Sequence, residues 1–154
     1  MKELEKGSDE DVKQRQKVLR SKISDVIPCD LTLQNPLLKE YPPFDVLSVN
    51  FCVEVVATDI GEFTAYLKVL RSLLKDEGYM GIFVSLEESY FVNRGTRYNN
   101  LFLTTEDVKK ALKESGFEVL RVPWHLDISL KSQIPMLNDC KSLEYFVVRK
   151  IYDI

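Results

Sequence analysis

The sequence predicts one α/β domain whose sheet is mostly parallel and ends in an antiparallel strand pair. Three observations carry this. "FDVLSVNFCV" (44–53) is a nearly continuous apolar run with β-branched content, as expected of a strand buried on both faces of a parallel sheet. An amphipathic segment and a second apolar run, "GYMGIFVSL" (78–86), follow it, and strand–helix–strand order implies a right-handed crossover. Two β-rich runs, "FEVLRVPW" (117–124) and "LEYFVVRKI" (143–151), close the chain. A length of 154 residues, 45% hydrophobic and 29% charged, suits a single globular domain.

Taken in order, "DEDVKQRQKVLRSKI" (9–23) begins with acids and fills with bases toward its end, which matches a helix dipole. Only Val12, Leu19 and Ile23 form its apolar face, so the segment within about 1–24 is read as a surface helix. "DVIPCDLT" (25–32) reads as a short strand, with Pro28 at an edge or an irregularity, and "LQNPLLKEYPP" as a loop. After the 44–53 strand, Asp59 is placed to cap a helix. Its stripe of Phe63, Tyr66, Leu67, Leu70, Leu73 and Leu74 runs until Gly78. Beyond the irregular "NRGTRYNN", Thr104-x-x-Asp107 resembles a capping box, and Val108, Ala111 and Leu112 face inward until Gly116. The long connection "HLDISLKSQIPMLNDCKS" is of the kind that often carries function.

Composition narrows the function. A net charge of −3 and a pI near 5.3 give no electrostatic reason for a nucleic-acid partner. No apolar run reaches the length of a membrane span, and "MKELEKGSDEDVK" has no signal-peptide core, so a cytoplasmic protein without membrane partners is expected. Cys29, Cys52 and Cys140 are odd in number and widely spaced, hence reduced thiols. His125 is the single histidine, so no metal site is expected and a Ser-His-Asp arrangement would depend on that residue alone.

The ordered segments "PCDLT", "PPFDVLSVNFCVEVVATDI", "LRSLLKDEGYMGIFVSLEESYF", "EDVKKALKESGFEVLRV" and "NDCKSLEYFVVRK" resemble the nicotinamide, phenylethanolamine, indolethylamine and thioether methyltransferase family. "FC-x-E" and "LEES" are similar to its phenylethanolamine branch. The resemblance implies the C-terminal half (25–154) of a Rossmann-like domain that uses S-adenosylmethionine (SAM) to methylate a small amine.

It also implies roles. Asp30 and Leu31 would hold the adenine end of SAM, and Asn50 and Phe51 would line the cofactor site at the next strand's end. Glu54 and Glu88 would face the acceptor nitrogen as the catalytic acids. Tyr90, Phe91, Asn138 and Asp139 would surround the substrate. Read alone, Asp30 is a carboxylate closing a strand, Asn50 and Phe51 are a strand-end amide and a core aromatic, and the two glutamates are solvated acids. The nicotinamide-methylating relative has an aspartate where this chain has Val84, so nicotinamide is not the expected acceptor.

The family's glycine-rich SAM loop is not among these 154 residues, whose glycines are Gly7, Gly61, Gly78, Gly81, Gly95 and Gly116. "LLKDEG" stands where the family reads "LLKPGG". The chain alone is therefore expected to be inactive and prone to self-association through an exposed strand edge. The alternative is a noncatalytic pseudoenzyme or binding fragment of the same fold.

Overall fold

The computed structural model describes residues 9–128 and 137–151. Helix α1 (Asp9–Lys22) lies on the surface, with Val12, Leu19 and Ile23 all exposed. The expected strand at 25–32 is not formed: these residues join no ladder, because no neighbouring strand offers hydrogen-bond partners.

Strand β1 (Phe44–Asn50) pairs in parallel with β2 (Leu74–Leu86). Between them come the short helix α2 (Val53–Val56) and helix α3 (Ile60–Ser72). Asp59 caps α3 by accepting from Glu62 N at 2.9 Å, while the Glu62 carboxylate reaches back to Thr58 N at 2.9 Å. Phe63, Leu67 and Leu70 form its buried stripe. The helix stops at Ser72, not Gly78, because Leu74 already pairs with Phe44 and starts the strand.

After β2 comes a hairpin, β3 (Tyr90–Asn93) and β4 (Thr96–Asn99), where the sequence reads as irregular. Its two-residue turn places Arg94 and Gly95 at φ 50 and 80, the pair of left-handed residues such a loop needs. Helix α4 (Thr105–Glu114) starts in the expected capping box, with Thr104 Oγ1 and Asp107 Oδ2 2.6 Å apart. The run at 117–124 divides into β5 (Phe117–Val119) and β6 (Trp124–Asp127), interrupted at Pro123, whose ring provides no N–H for a ladder. Both pair antiparallel with β7 (Ser142–Lys150), which also pairs antiparallel with β2.

The sheet order is β1-β2-β7-β5, with β6 also on β7, so β7 alone runs against the other four strands. Alternation then sorts the faces. Met80, Ile82, Val84, Phe146 and Val148 are fully buried and join α3 and α4 residues in one core. On the opposite face Tyr79, Gly81, Phe83 and Ser85 align with Arg149, Val147, Tyr145 and Leu143. A Cβ at Gly81 would run into the Tyr145 ring, so glycine lets that ring lie flat on the sheet.

Strand β1 is not buried on both faces as its composition suggests. Val46 is 63% exposed, since β1 is the sheet's edge and has β2 as its one neighbour.

Glu77, where the family has glycine, adopts φ 58. A left-handed conformation costs a non-glycine residue about 1–2 kcal/mol. Glu77→Gly is therefore expected to raise stability by about 0.5–1 kcal/mol after glycine's extra chain entropy is counted. Urea unfolding of the two proteins checks it, and an unchanged or lowered midpoint would refute the strain argument.

Candidate active site

Ligands of open α/β sheets sit at the carboxyl ends of the strands, and the chain turns sharply at both such ends here. Phe51, directly after β1, and Glu87, directly after β2, both adopt φ 50. Non-glycine residues reach this region at a cost, and such strain concentrates at functional sites. The first turn carries the backbone into α2 and buries Glu54; the second brings Glu88 in. Glu54 is 1% exposed and Glu88 7%.

Two cavities meet at the end of β1. One, of about 770 Å³, is lined by Asp30, Leu31, Asn50 and Cys52 together with apolar residues of β1 and α3. The other, of about 330 Å³, is lined by Phe51, Ser85, Glu88, Phe91, Asn138 and Cys140, among others. Asn50 and Cys52 face the first and Phe51 the second, so this turn is the wall between them. Phe51 thus stands with the acceptor group of residues, apart from Asn50. A wider hollow of about 870 Å³ between α4 and β5 includes none of the residues picked out above.

Asp30 is solvent-exposed, and its Oδ1 accepts from Thr32 N (3.0 Å) and Thr32 Oγ1 (2.7 Å). Those bonds hold its carboxyl below the usual range. Glu54 does not line the acceptor cavity; it lies behind Ser85, whose N–H donates to Glu54 Oε1 at 3.1 Å. Glu54 Oε2 is buried without a partner among the described residues. Burial, reinforced by the nearby Glu88 charge and only partly opposed by the bonds from Ser85, pushes the Glu54 carboxyl up to about 7.

Glu88 accepts from Asn100 Nδ2 at 3.0 Å. Burial and then the Asp139 charge push it up, against the pull of the Ser85 hydroxyl. Asp139 itself anchors the β2–β3 connection, accepting from Ser89 N (2.8 Å), Ser89 Oγ (2.6 Å) and Tyr90 N (3.3 Å). Burial alone would raise its carboxyl, but these bonds together hold it low.

Phe91 faces the cavity and stacks on Tyr98 at 5.3 Å. Tyr90, one residue earlier on β3, is not among the cavity's lining residues and carries the Arg97 guanidinium 3.8 Å above its ring. Asn138 bridges to Phe91 and accepts from Cys140 N with its side chain. Ser85 and Asn100 were not singled out by the sequence. Serine inside a strand and asparagine after "NRGTRYN" carry no signal of their own there. His125 sits elsewhere, its Nδ1 3.0 Å from Glu144 Oε1.

The family model described as NNMT/PNMT/TEMT matches residues 1–150. The chain belongs to this family. It is 30% identical over 139 residues to human nicotinamide N-methyltransferase, covering 90% of this chain and 51% of that protein. It is 31% identical over 119 residues to phenylethanolamine N-methyltransferase of Macaca mulatta, covering 75% and 42%. The chain thus spans about half the length of these relatives or somewhat less.

Solved structures agree on the fold. An S-adenosylmethionine-dependent methyltransferase from Clostridium acetobutylicum superposes with a TM-score of 0.59 at 14% identity, over 94% of this chain and 73% of that one. A Burkholderia thailandensis 1,6-didemethyltoxoflavin-N1-methyltransferase with bound S-adenosylhomocysteine gives 0.56 at 16%, over 80% and 49%. The family member described here therefore has the fold of SAM-dependent methyltransferases, and SAM is the cofactor that goes with it. The 770 Å³ cavity presents groups of the kind the adenine end needs: the Asp30 carboxylate and Leu31 from the loop before β1, and the Asn50 amide at the end of β1.

Proposed function

We propose that this chain supplies the adenine-binding and acceptor-binding half of a cytoplasmic SAM-dependent N-methyltransferase acting on a small amine. What carries the reading is the juxtaposition of two cavities across the turn at Phe51, with Asp30 and Leu31 on one side and Glu88 with Phe91 on the other. When bound, SAM supplies an electrophilic methyl group. The chain's own residues would do the rest by placement. Asp30 and Leu31 would orient the adenine. Glu88, a buried carboxylate at the wall of the cavity that Phe51 and Phe91 also line, would select an ammonium group and take its proton, leaving the neutral amine competent as nucleophile.

In the chain completed by an N-terminal half of the family domain, Glu88→Ala is expected to reduce turnover about 10²–10⁴-fold. SAM affinity, measured by titration, should change far less. An equal loss of SAM affinity would put Glu88 on the cofactor side and overturn the assignment. A noncatalytic binding fragment is the second reading, favoured by the exposed β1 edge, which could pair with another copy or another chain. The two readings part in the same assay, because a binding fragment acquires no turnover when completed.

A further inference from the structure

The hollow of about 870 Å³ between α4 and β5 shares no lining residue with the two cavities at the end of β1. Its floor is apolar, formed by Phe117, Val119, Val122, Pro123 and Ile151. Val122 is 89% exposed and Ile151 42%, so this apolar surface stands open to solvent. Contiguous apolar surface with a charged rim is the form that protein contact sites take.

The rim is cationic. Lys109 and Lys113, one turn apart on α4, line it together with Arg121, and Glu118 is the one acid among the lining residues. Arg149 takes the Glu118 carboxylate, with Nη2 at 2.7 Å and Nε at 3.2 Å, and Lys109 has Glu106 at 2.8 Å. Lys113 and Arg121 have no carboxylate partner among the described residues. A chain of net charge −3 thus keeps two unmatched cations beside an apolar floor.

The same hollow exposes a strand edge. Among the described residues β5 pairs with β7 alone. Leu120 N donates to Val147 O and Gly116 O accepts from Ile151 N, so the even-numbered residues turn their backbone groups toward β7. By antiparallel alternation Phe117 and Val119 turn theirs outward, and both line the hollow.

We propose that the hollow between α4 and β5 binds an extended segment of another protein, carrying apolar and acidic side chains, which adds as a strand along β5. Its backbone meets the outward groups of Phe117 and Val119, its apolar side chains cover Val122 and Ile151, and its carboxylates meet Lys113 and Arg121. A lipid surface or a small anion would use the cations but has no backbone to match the strand edge. This surface is independent of the methyl-transfer reading.

Fluorescence anisotropy of the purified 154-residue chain with labelled synthetic octapeptides tests it. A Val-Val-Glu-Glu repeat, which gives each face of an extended chain both side-chain types, is expected to bind. The Val-Val-Lys-Lys repeat should bind about tenfold more weakly. Only alternate amides of an added strand face its neighbour, so N-methylation of one alternate set should weaken binding about tenfold and of the other set hardly at all. Lys113→Glu combined with Arg121→Glu should reverse the preference between the two repeats. Both side chains are exposed and unpaired, so the urea midpoint of this variant should match the parent's. No binding of the glutamate repeat at millimolar concentration overturns the proposal, as does equal weakening by both methylation sets, which would remove strand addition. Binding that ignores the two substitutions would put the peptide on another edge, such as β1, and equally overturns it. Capture of the chain by phosphatidylserine vesicles, without peptide binding, would assign the cations to a membrane surface instead.

Discussion

Titrated with SAM, the purified 154-residue chain is expected to show very weak binding and no methyl transfer to any amine. On the proposed reading, the cavity lined by Asp30, Leu31 and Asn50 would hold one end of the cofactor. Asp30 is already engaged, since its Oδ1 accepts twice from Thr32. No glycine-rich turn occurs in the 154 residues to present a cluster of backbone N–H groups to the ribose and methionine carboxylate. Without that second anchor the sulfonium is not held in line with the amine, and orientation is worth roughly 7–11 kcal/mol in well-positioned reactions. The loss should thus fall on rate even more than on affinity. Isothermal titration with SAM, run beside sedimentation to record self-association through the β1 edge, checks both halves of the expectation. Micromolar binding by a monodisperse monomer would show that these residues suffice, and the two-half reading would fall.

The fold was legible wherever local chemistry and tertiary need agree. The Asp59 cap with Phe63, Leu67 and Leu70, the Thr104–Asp107 box and the β-rich run at 143–151 each state their own structure, and each is found, although α3 ends at Ser72 and not at Gly78. It was not legible where a neighbour decides. Residues 25–32 have strand composition but no partner strand, and β1 has the composition of an interior strand but lies at an edge. The 93–96 hairpin was hidden for a different reason. Arginine, not asparagine or aspartate, takes the first left-handed turn position, so the usual dipeptide signal is missing.

The candidate site divides in the same way. Glu54 and Glu88 could be picked out because "FC-x-E" and "LEES" resemble the family's pieces, and the parallel strands that precede them put both at one end of the sheet. That Glu54 lies behind Ser85 instead of facing the cavity could not be read, because α2 turns it inward only after the left-handed residue Phe51. Asn100 arrives through the hairpin, where its N–H donates to Ser89 O at 2.9 Å. A hairpin unseen in the sequence leaves its side-chain placement unseen as well.

The clearest consequence of the buried acid is a stability that falls as pH rises toward neutrality. Glu54 is held up to about 7 in the folded chain against an ordinary 4.5. Below 4.5 both folded and unfolded chains carry the proton, so this group's contribution is then fully present. Between 4.5 and about 7 the folded chain keeps a proton that the unfolded chain releases, so unfolding is favoured progressively with rising pH. The difference amounts to about 3 kcal/mol once the pH exceeds the folded value. Glu88, also raised by burial, acts in the same direction. Asp107 and Asp139 are held low, so their contributions are lost only as pH falls through the acid range and do not mask the effect. Replacing Glu54 by glutamine removes the titrating group while its side-chain oxygen can still accept from Ser85 N. The new amide has no evident acceptor, which is expected to cost about 1–3 kcal/mol at every pH. The informative quantity is therefore the slope. Urea unfolding at pH 5 and pH 8 should show a loss of about 3 kcal/mol in the parent chain. In Glu54→Gln that loss should shrink to the smaller part contributed by Glu88. A parent chain equally stable at both pH values would mean that Glu54 is ionised in the fold, and the expected slope would be overturned.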